Sequence, residues 1–280
     1  MRNNAITRII VFSIVIVILL GILLAGLGFG MFMVHFGTSA SSHSVGSEGG
    51  SFYGDDIRNL NIEWAAGNIS IESADTDYIT FSEEGRINAK TDQMIWEQHG
   101  NTLTIRYSEP TVKIGVFSSS PVKNLTIIVP EDWSCDQLDL EAASADLQIQ
   151  ELEANKVEIS TASGNCDLIN CMISDLDVDT ASGSVHYTGW LDTLDCDAAS
   201  AGFEGIFTNT PSKIAMDSVS GDLDLTFPEG CGFRVNMDAL SGEFYSDLNV
   251  QYDGSRYTYG DQKCIIEFDG VSGSVQIREK

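Results

Sequence analysis

KVEISTASGNCDL, residues 156–168, alternates apolar and polar side chains on both sides of a Thr-Ala-Ser-Gly turn. Alternation with a period of two indicates strands. Looser copies of the turn recur in steps of 19, 19, 18, 20, 21 and 31 residues, with the serine at Ser144, Ser163, Ser182, Ser200, Ser220, Ser241 and Ser272. A repeat of this length predicts stacked coils, with one such corner in each coil.

Two short strands cannot bury their own apolar face, whereas coils stacked about 4.8 Å apart share backbone hydrogen bonds and a continuous core. We therefore predict an all-β fold in which residues 135–280 form a parallel β-solenoid, similar to a single-stranded β-helix. It would have about seven regular coils of about 19 residues. Residues 52–134 alternate without regular corners, except for a degenerate one at Ala65–Asn68, and are predicted to cap the solenoid as a less regular β region. An antiparallel sandwich is the alternative, because it alternates as well.

An apolar stretch at residues 9–34 carries no charge. At about 1.5 Å per residue it is long enough to cross a bilayer as one helix. Arg2 and Arg8 precede it, and no lysine or arginine follows before Arg58. The positive-inside rule therefore predicts a single-pass protein of the cell membrane, with residues 1–8 in the cytoplasm and the C-terminal domain outside it.

The stretch after this apolar segment also bears on location. Residues 37–51 are rich in Ser and Gly, which predicts a flexible tether between membrane and β domain. A cleaved signal peptide ending near Ala40 is the competing interpretation, although its apolar core would be about twice the usual length. Gly26 and Gly30 have the spacing with which two membrane helices pack closely.

The formal net charge is −26, and the two arginines before the apolar stretch leave 13 basic against 41 acidic residues after it. Such a surface repels nucleic acid and anionic lipid headgroups, so nucleic acid is excluded as a partner. The predicted contact with the membrane is made through residues 9–34 alone.

Aligning the coils on their corners places acidic residues in two outward-facing columns. Carboxylates about 5 Å apart repel each other by roughly 0.8 kcal/mol per pair in water. Divalent cations, Ca²⁺ in the first place, would relieve this repulsion because they take oxygen ligands. The alternative is a solvated acidic face screened by salt. The candidate metal ligands are Asp139, Glu158, Asp177 and Asp195 in one column, and Asp179, Asp197, Asp217 and Asp238 in the other.

The sequence contains no nucleophile elbow, phosphate-binding glycine loop or zinc-protease motif, and none of its four histidines lies beside a plausible catalytic nucleophile. We predict no enzymatic activity and no cofactor other than the calcium considered above. Carboxylate pairs across coils leave a polysaccharide-acting enzyme as the class to test. The six cysteines permit three disulfides in an exported domain, but Cys166 and Cys196 occupy inward positions where a free thiol packs well.

Several phrases resemble the DUF4097 family of bacterial proteins considered to be adhesins. The resemblance covers about residues 55–280 and implies a surface-exposed parallel β-solenoid without known enzymatic activity or catalytic residues. The phrases that carry it are Leu125-Thr126-Ile127-Ile128-Val129-Pro130, Ser220-Gly221-Asp222-Leu223, Phe227-Pro228-Glu229-Gly230, Leu240-Ser241-Gly242 and Ser272-Gly273-Ser274-Val275.

Together these observations predict a membrane-anchored extracytoplasmic β-solenoid with a binding or structural role at the bacterial cell surface. The expected partner is a cell-wall polymer or an envelope protein. The alternative function is an envelope-stress sensing or regulatory module that acts with a membrane signalling partner.

Overall fold

The computed structural model describes residues 43–46, 49–85, 93–107 and 122–280. The predicted cytoplasmic N-terminus, residues 1–8, and the predicted membrane helix, residues 9–34, lie outside these ranges. Within them, no helix has the length and apolar character needed to cross a membrane.

The described chain is almost entirely β-strand, with one 3₁₀ turn at Gly54–Asp56. The strands of the N-terminal part are β1 His43–Gly46, β2 Gly50–Tyr53, β3 Asn59–Ala74, β4 Tyr78–Gly85, β5 Ile95–His99, β6 Thr102–Arg106 and β7 Lys123–Pro130. The central strands are β8 Ser134–Gln150, β9 Glu153–Thr161, β10 Cys166–Phe207, β11 Lys213–Ser220 and β12 Leu223–Phe227. The C-terminal strands are β13 Phe233–Ser241, β14 Phe244–Ser246, β15 Gln251–Tyr252, β16 Tyr257–Tyr259, β17 Cys264–Ser272 and β18 Val275–Glu279.

The coils stack in parallel with their corners in register. Leu138 and Leu140 of β8 lie beside Val157 and Ile159 of β9, and these inward side chains are buried. At the corner, Ser163 Oγ lies 3.3 Å from Ser144 Oγ. Strand segments before the corners form one layer, the pre-corner layer, and segments after them form a second, the post-corner layer. The predicted all-β repeat fold with mostly parallel strands is confirmed.

The N-terminal region joins this stack directly. β3 pairs with β8 on both sides of its corner, with Ala66 beside Ser144, so the degenerate corner at Ala65–Asn68 is confirmed. β6 and β7 add a further parallel layer on the other side of β3. Beyond them, β4 pairs antiparallel with β7, and β5 pairs antiparallel with β6. At the outer edge, β1 pairs antiparallel with β5, and β2 with β4.

Two of these edge strands lie in or overlap the stretch predicted to be a tether. Within residues 37–51, the chain pairs as β1 with β5 and begins β2, which pairs with β4. Gly and Ser have weak strand preference, but an open antiparallel edge offers a row of unpaired backbone groups that any adjacent segment can satisfy.

At the C-terminal end the coils are not stacked in sequence order. β17 pairs in parallel with both β11 and β13, so the last coil of the chain is inserted between two earlier ones. β16 then pairs antiparallel with the outer side of β13, and β15 pairs with β16. The step between Ser241 and Ser272 is 31 residues long because the chain forms the β15–β16 hairpin outside β13 before β17 pairs on the inner side of β13.

The core contains a column of five aromatic rings along the stack. The column runs from Tyr187 through Phe207, Phe227 and Phe233 to Tyr259. Ring centroids are 5.9, 5.5, 6.1 and 5.6 Å apart, within the range of favourable aromatic pairs. The three phenylalanines are fully buried, so these rings tie successive coils together from the inside.

The corner glycines explain how closely the coils approach. A Cβ on Gly183 would lie 2.0 Å from the carbonyl oxygen of Gly164, and Gly183 also has a φ of +126°. Gly242, by contrast, does not have a left-handed φ, but its Cβ would lie 1.8 Å from the carbonyl oxygen of Gly273. A positive φ therefore favours glycine at some corners, whereas close backbone contact requires it at others.

Gly183→Ala is expected to lower the free energy of unfolding by about 2 to 3 kcal/mol, because it adds both a left-handed residue and a backbone clash. Gly254 is the matched control, since it has a φ of +95° but nothing within 4 Å of an added Cβ. Chemical denaturation followed by circular dichroism measures the difference. Equal losses in both variants would show that the corner contact is unimportant.

Candidate functional site

The first predicted acidic column lies on the outer surface of the pre-corner layer. Asp139 is the register partner of Glu158, and Glu158 is the partner of Asp177. Asp195 is close enough to Asp177 to raise its pKa. The column is interrupted at the next coil, where Asp195 is paired with Ala215. The structure thus brings together the four residues predicted for this column.

The second column lies one outward position closer to the corners. Asp197 pairs with Asp217, which pairs with Asp269, and Asp269 pairs with Asp238. The inserted coil of β17 therefore separates Asp217 from Asp238, which the sequence order had made neighbours. Asp179 belongs to the same column and is near enough to raise the pKa of Asp197. We call the outer surface that carries both columns the acidic face.

Carboxylates in the middle of the acidic face are partly desolvated and lack enough basic neighbours. Partial burial, followed by the charge of Asp217 and the nearby aspartates, raises the pKa of Asp197 to about 7. Burial and then Asp269 raise the pKa of Asp217 to about 6, although Lys213 opposes the shift. Burial is likewise the largest cause of the raised pKa of Asp179.

At the N-terminal end of the first column, the negative charges have more polar and basic neighbours. Lys156 forms an ion pair with Glu158, and this contact is the largest cause of a lowered pKa for Glu158. Gln137 Nε2 donates a 2.8 Å hydrogen bond to Asp139 Oδ1. Burial and the nearby Glu158 still raise the pKa of Asp139, but the largest shifts, at Asp197 and Asp217, lie in the middle of the stack.

Residues 57–191 match a family model described as Toastrack DUF4097. They form a DUF4097 domain. The match includes β3 and β8 and the first three acids of the first column. No curated protein matches the chain.

The chain is also similar to solved structures of bacterial proteins, each at 13% sequence identity. A candidate adhesin from Bacteroides fragilis gives a TM-score of 0.45 over 85% of this chain and 98% of its own. A candidate lipid-binding protein from Parabacteroides distasonis gives 0.42 over 82% and 96%. A candidate cell adhesion protein from Clostridium sporogenes gives 0.36 over 85% and 99%.

The candidate catalytic groups of the DUF4097 domain and the coils after it lie apart from the acidic face. His186 Nδ1 lies 3.7 Å from Glu204 Oε2 on the post-corner layer, where both side chains are about half exposed. All six cysteines are buried free thiols. Burial raises the pKa of the Cys171 thiol to about 11, so this thiol is protonated at neutral pH and packs as an apolar group.

Two further features were not predicted from the sequence. The Lys123 side chain is fully buried, with Nζ 2.7 Å from Glu83 Oε2. At the C-terminal end, Tyr252 stacks on Tyr257 and is 59% exposed. A tyrosine-rich stretch within the long last step was the available signal for the second feature, whereas a lysine before a strand resembles any solvated loop residue.

Asp197→Asn is expected to raise the free energy of unfolding at pH 8 by roughly 1 to 2 kcal/mol, once partial solvent exposure is allowed for. An acid whose folded pKa is raised keeps its proton longer in the folded state than in the unfolded state. Its cost is therefore absent well below the ordinary pKa of 3.8, grows as the pH rises from there to about 7, and is complete above about 7.

Thermal unfolding of the wild type and the Asp197→Asn variant at pH 4.5 and pH 8 measures this difference. Asp167→Asn, on the post-corner layer, is the matched control. A variant that is no more stabilised at pH 8 than at pH 4.5 would contradict the predicted repulsion.

The calcium interpretation of the columns stays a prediction. Over the parts of the chain that the structure describes, histidine, cysteine and acidic residues do not come together in groups of three or more with metal-binding geometry. Any Ca²⁺ would bridge carboxylates of neighbouring coils in pairs. We expect millimolar Ca²⁺ to raise the melting temperature of the chelator-treated protein more than NaCl of equal ionic strength. Equal shifts of the melting temperature in Ca²⁺ and in NaCl would show that Ca²⁺ acts only by screening the charges.

Proposed function

We propose that the chain is a single-pass membrane protein whose β domain lies outside the membrane and binds a surface partner through the acidic face. The observation that carries the proposal is the unbroken parallel register of the pre-corner layer. Regular coils place carboxylates at about 4.8 Å intervals along a long outer surface. This arrangement fits a partner with many cationic groups better than it fits a small substrate.

The charge distribution supports this choice of surface. Residues 131–228 contain 20 acidic and two basic residues, a net charge of −18. A cell-wall polymer or envelope protein with positive groups would gain from contact with several carboxylates at once, and association would weaken with salt. The apolar residues 9–34 and the preceding arginines support the membrane location.

Location is tested with the full-length chain carrying a C-terminal epitope. We expect the protein in the membrane fraction after alkaline washing, with the epitope cleavable by protease added to intact cells. Release into the wash, or an epitope protected in intact cells but cut in lysed cells, would contradict the proposed topology.

Binding is tested by co-sedimentation of the detergent-solubilised full-length chain with purified cell wall and by capture of proteins from intact envelope. The variant Asp179→Asn, Asp197→Asn, Asp217→Asn is expected to lose most binding. A control with the same net charge replaces Asp167, Glu204 and Glu229 with their amides. Equal loss in both variants would assign the effect to net charge rather than to the acidic face.

A regulatory role is the second candidate, favoured by Gly26 and Gly30 in the apolar stretch. Such a spacing packs membrane helices together and would couple the β domain to a membrane signalling partner. Replacing residues 9–34 with an unrelated membrane helix separates the two roles. A surface binder keeps its binding, whereas a regulator coupled through the helix loses its signalling output.

We further propose that the protein is not an enzyme. The family match and the absence of a sequence motif for catalysis support this view. Release of soluble sugar from purified wall incubated with the protein would contradict it and indicate a polysaccharide-acting enzyme.

A further inference from the structure

The C-terminal end of the stack is closed by a three-ring aromatic stack that emerges at the surface. Phe244 of β14 stacks on Tyr257 of β16 with centroids 4.1 Å apart and planes 19° apart. Tyr252 of β15 stacks on Tyr257 in turn, at 4.6 Å and 31°. Phe244 and Tyr257 are partly buried against the core, whereas Tyr252 is 59% exposed. One face of the Tyr252 ring is covered by Tyr257, and the ring presents its remaining surface to solvent.

The outer face of this end is more apolar than is usual for the terminal coil of a repeat protein. Terminal repeats need a polar outer face to keep the stack soluble. Here Tyr259 on β16 also ends the buried aromatic column, through its contact with Phe233 at 5.6 Å. Two aromatic stacks therefore converge on the β15–β16 hairpin. We call Tyr252, Tyr257 and Tyr259 the tyrosine platform.

The hairpin holds the tyrosine platform in a fixed shape. Asp253 Oδ1 accepts hydrogen bonds from the backbone N–H groups of Ser255 and Arg256, at 2.9 and 3.0 Å, and from Ser255 Oγ at 2.7 Å. These bonds tie the turn between β15 and β16. A platform that is ordered before binding avoids part of the entropic cost of binding.

The hairpin that carries the platform is less acidic than the central coils, although Glu279 lies near enough to Tyr259 to raise its pKa. Residues 251–263 contain Asp253 and Asp261 against Arg256 and Lys263, so this hairpin segment has no net charge. Residues 131–228, by comparison, have a net charge of −18. A ligand attracted by carboxylates would therefore prefer the acidic face, whereas an uncharged ligand meets no electrostatic disadvantage at the platform.

The size of the platform favours a small ligand over a second copy of the chain. A tyrosine ring offers about 150 to 250 Å² of surface, so the exposed part of the platform is roughly 200 Å². Two copies meeting there would bury roughly 400 Å² of aromatic surface, well below the about 1,200 Å² of a stable interface. One or two sugar rings match this area.

We propose that the tyrosine platform binds an uncharged saccharide unit of a surface polysaccharide. The apolar C–H face of a pyranose ring stacks on an aromatic ring, and its hydroxyl groups stay in contact with water. Gln251 and Thr258 are register partners on the other side of the hairpin, so the tyrosine rings provide the contact. This site is separate from the acidic face, and it rests on the proposed function only for its location outside the membrane.

The test uses the full-length chain in detergent with cellohexaose, N-acetylchitohexaose and mannohexaose as probes. Saturation-transfer NMR detects binding, and titration gives the affinity. We expect at least one probe to bind, and Tyr252→Ala to weaken it at least tenfold. Tyr245→Ala is the matched control, because Tyr245 is 50% exposed on β14 but is not part of the platform. The control is expected to bind as the wild type does.

Three outcomes would overturn the proposal: no probe binds, Tyr252→Ala binds normally, or both variants lose binding alike. Analytical ultracentrifugation adds a fourth, a dimer that Tyr252→Ala dissociates while no probe binds. Retention of cell-wall or envelope binding by Tyr252→Ala in any of these cases would leave the proposed function of the acidic face intact. If only the triple aspartate variant loses cell-wall or envelope binding, the acidic face and the tyrosine platform act as separate sites.

Discussion

Glu83→Gln is expected to lower the free energy of unfolding by about 3 to 5 kcal/mol, because it removes the carboxylate that pairs with the buried ammonium group of Lys123. The two side chains are 6% and 0% exposed, respectively. Lys123 Nζ also donates to the Tyr107 carbonyl and lies 4.0 Å from the centroid of the Tyr107 ring. Urea unfolding of the detergent-solubilised chain gives the difference.

The double variant Lys123→Met, Glu83→Gln is expected to recover most of this loss, since both charges are then absent and methionine fills a similar volume. Glu267→Gln is the exposed control. Its partner Lys213 lies 3.6 Å away and both side chains are about half exposed, so the change should stay below about 1 kcal/mol. A Glu83→Gln variant no less stable than this control would contradict the importance of the buried pair.

Phe227→Ala is expected to cost about 3 to 5 kcal/mol, because it removes a fully buried ring from the middle of the aromatic column. Its ring lies 5.5 Å from Phe207 and 6.1 Å from Phe233, so the cavity would open between coils of the central and C-terminal parts. Chemical denaturation measures the loss, and near-ultraviolet circular dichroism reports on the remaining rings.

Phe227→Leu is the matched comparison for the column. Leucine keeps most of the apolar volume but not the ring contacts, so we expect a loss of about 1 to 1.5 kcal/mol. Equal losses for alanine and leucine would indicate that the cavity is filled by collapse and that the column does not depend on this ring.

The spacing of the serine corners and the alternation around them were enough to predict parallel coils, because both are repeated many times. Register then followed, since a slip of one residue would turn every apolar side chain outward. The acidic columns could be predicted for the same reason. Asp139, Glu158 and Asp177 occupy equivalent positions in successive coils, so stacking the coils aligns them.

The order of the last coils could not be predicted in this way. β11, β13 and β17 carry the same apolar pattern, so each fits beside the others equally well by periodicity. The placement of Asp269 between Asp217 and Asp238 depends on side-chain packing and on the hairpin excursion. The aromatic column was missed because its members come from different positions of their coils, and which rings meet depends on that order.

The insertion of β17 between β11 and β13 has a consequence for biosynthesis. A ribosome delivers β13 before the strand that must lie on its inner side, so vectorial assembly from the N-terminus halts after β12. The nascent chain has to keep β13 apart until residues 264–279 arrive. Only a chain translated as far as β18 closes the stack, and termination before β17 leaves an open sheet edge that is accessible to proteases.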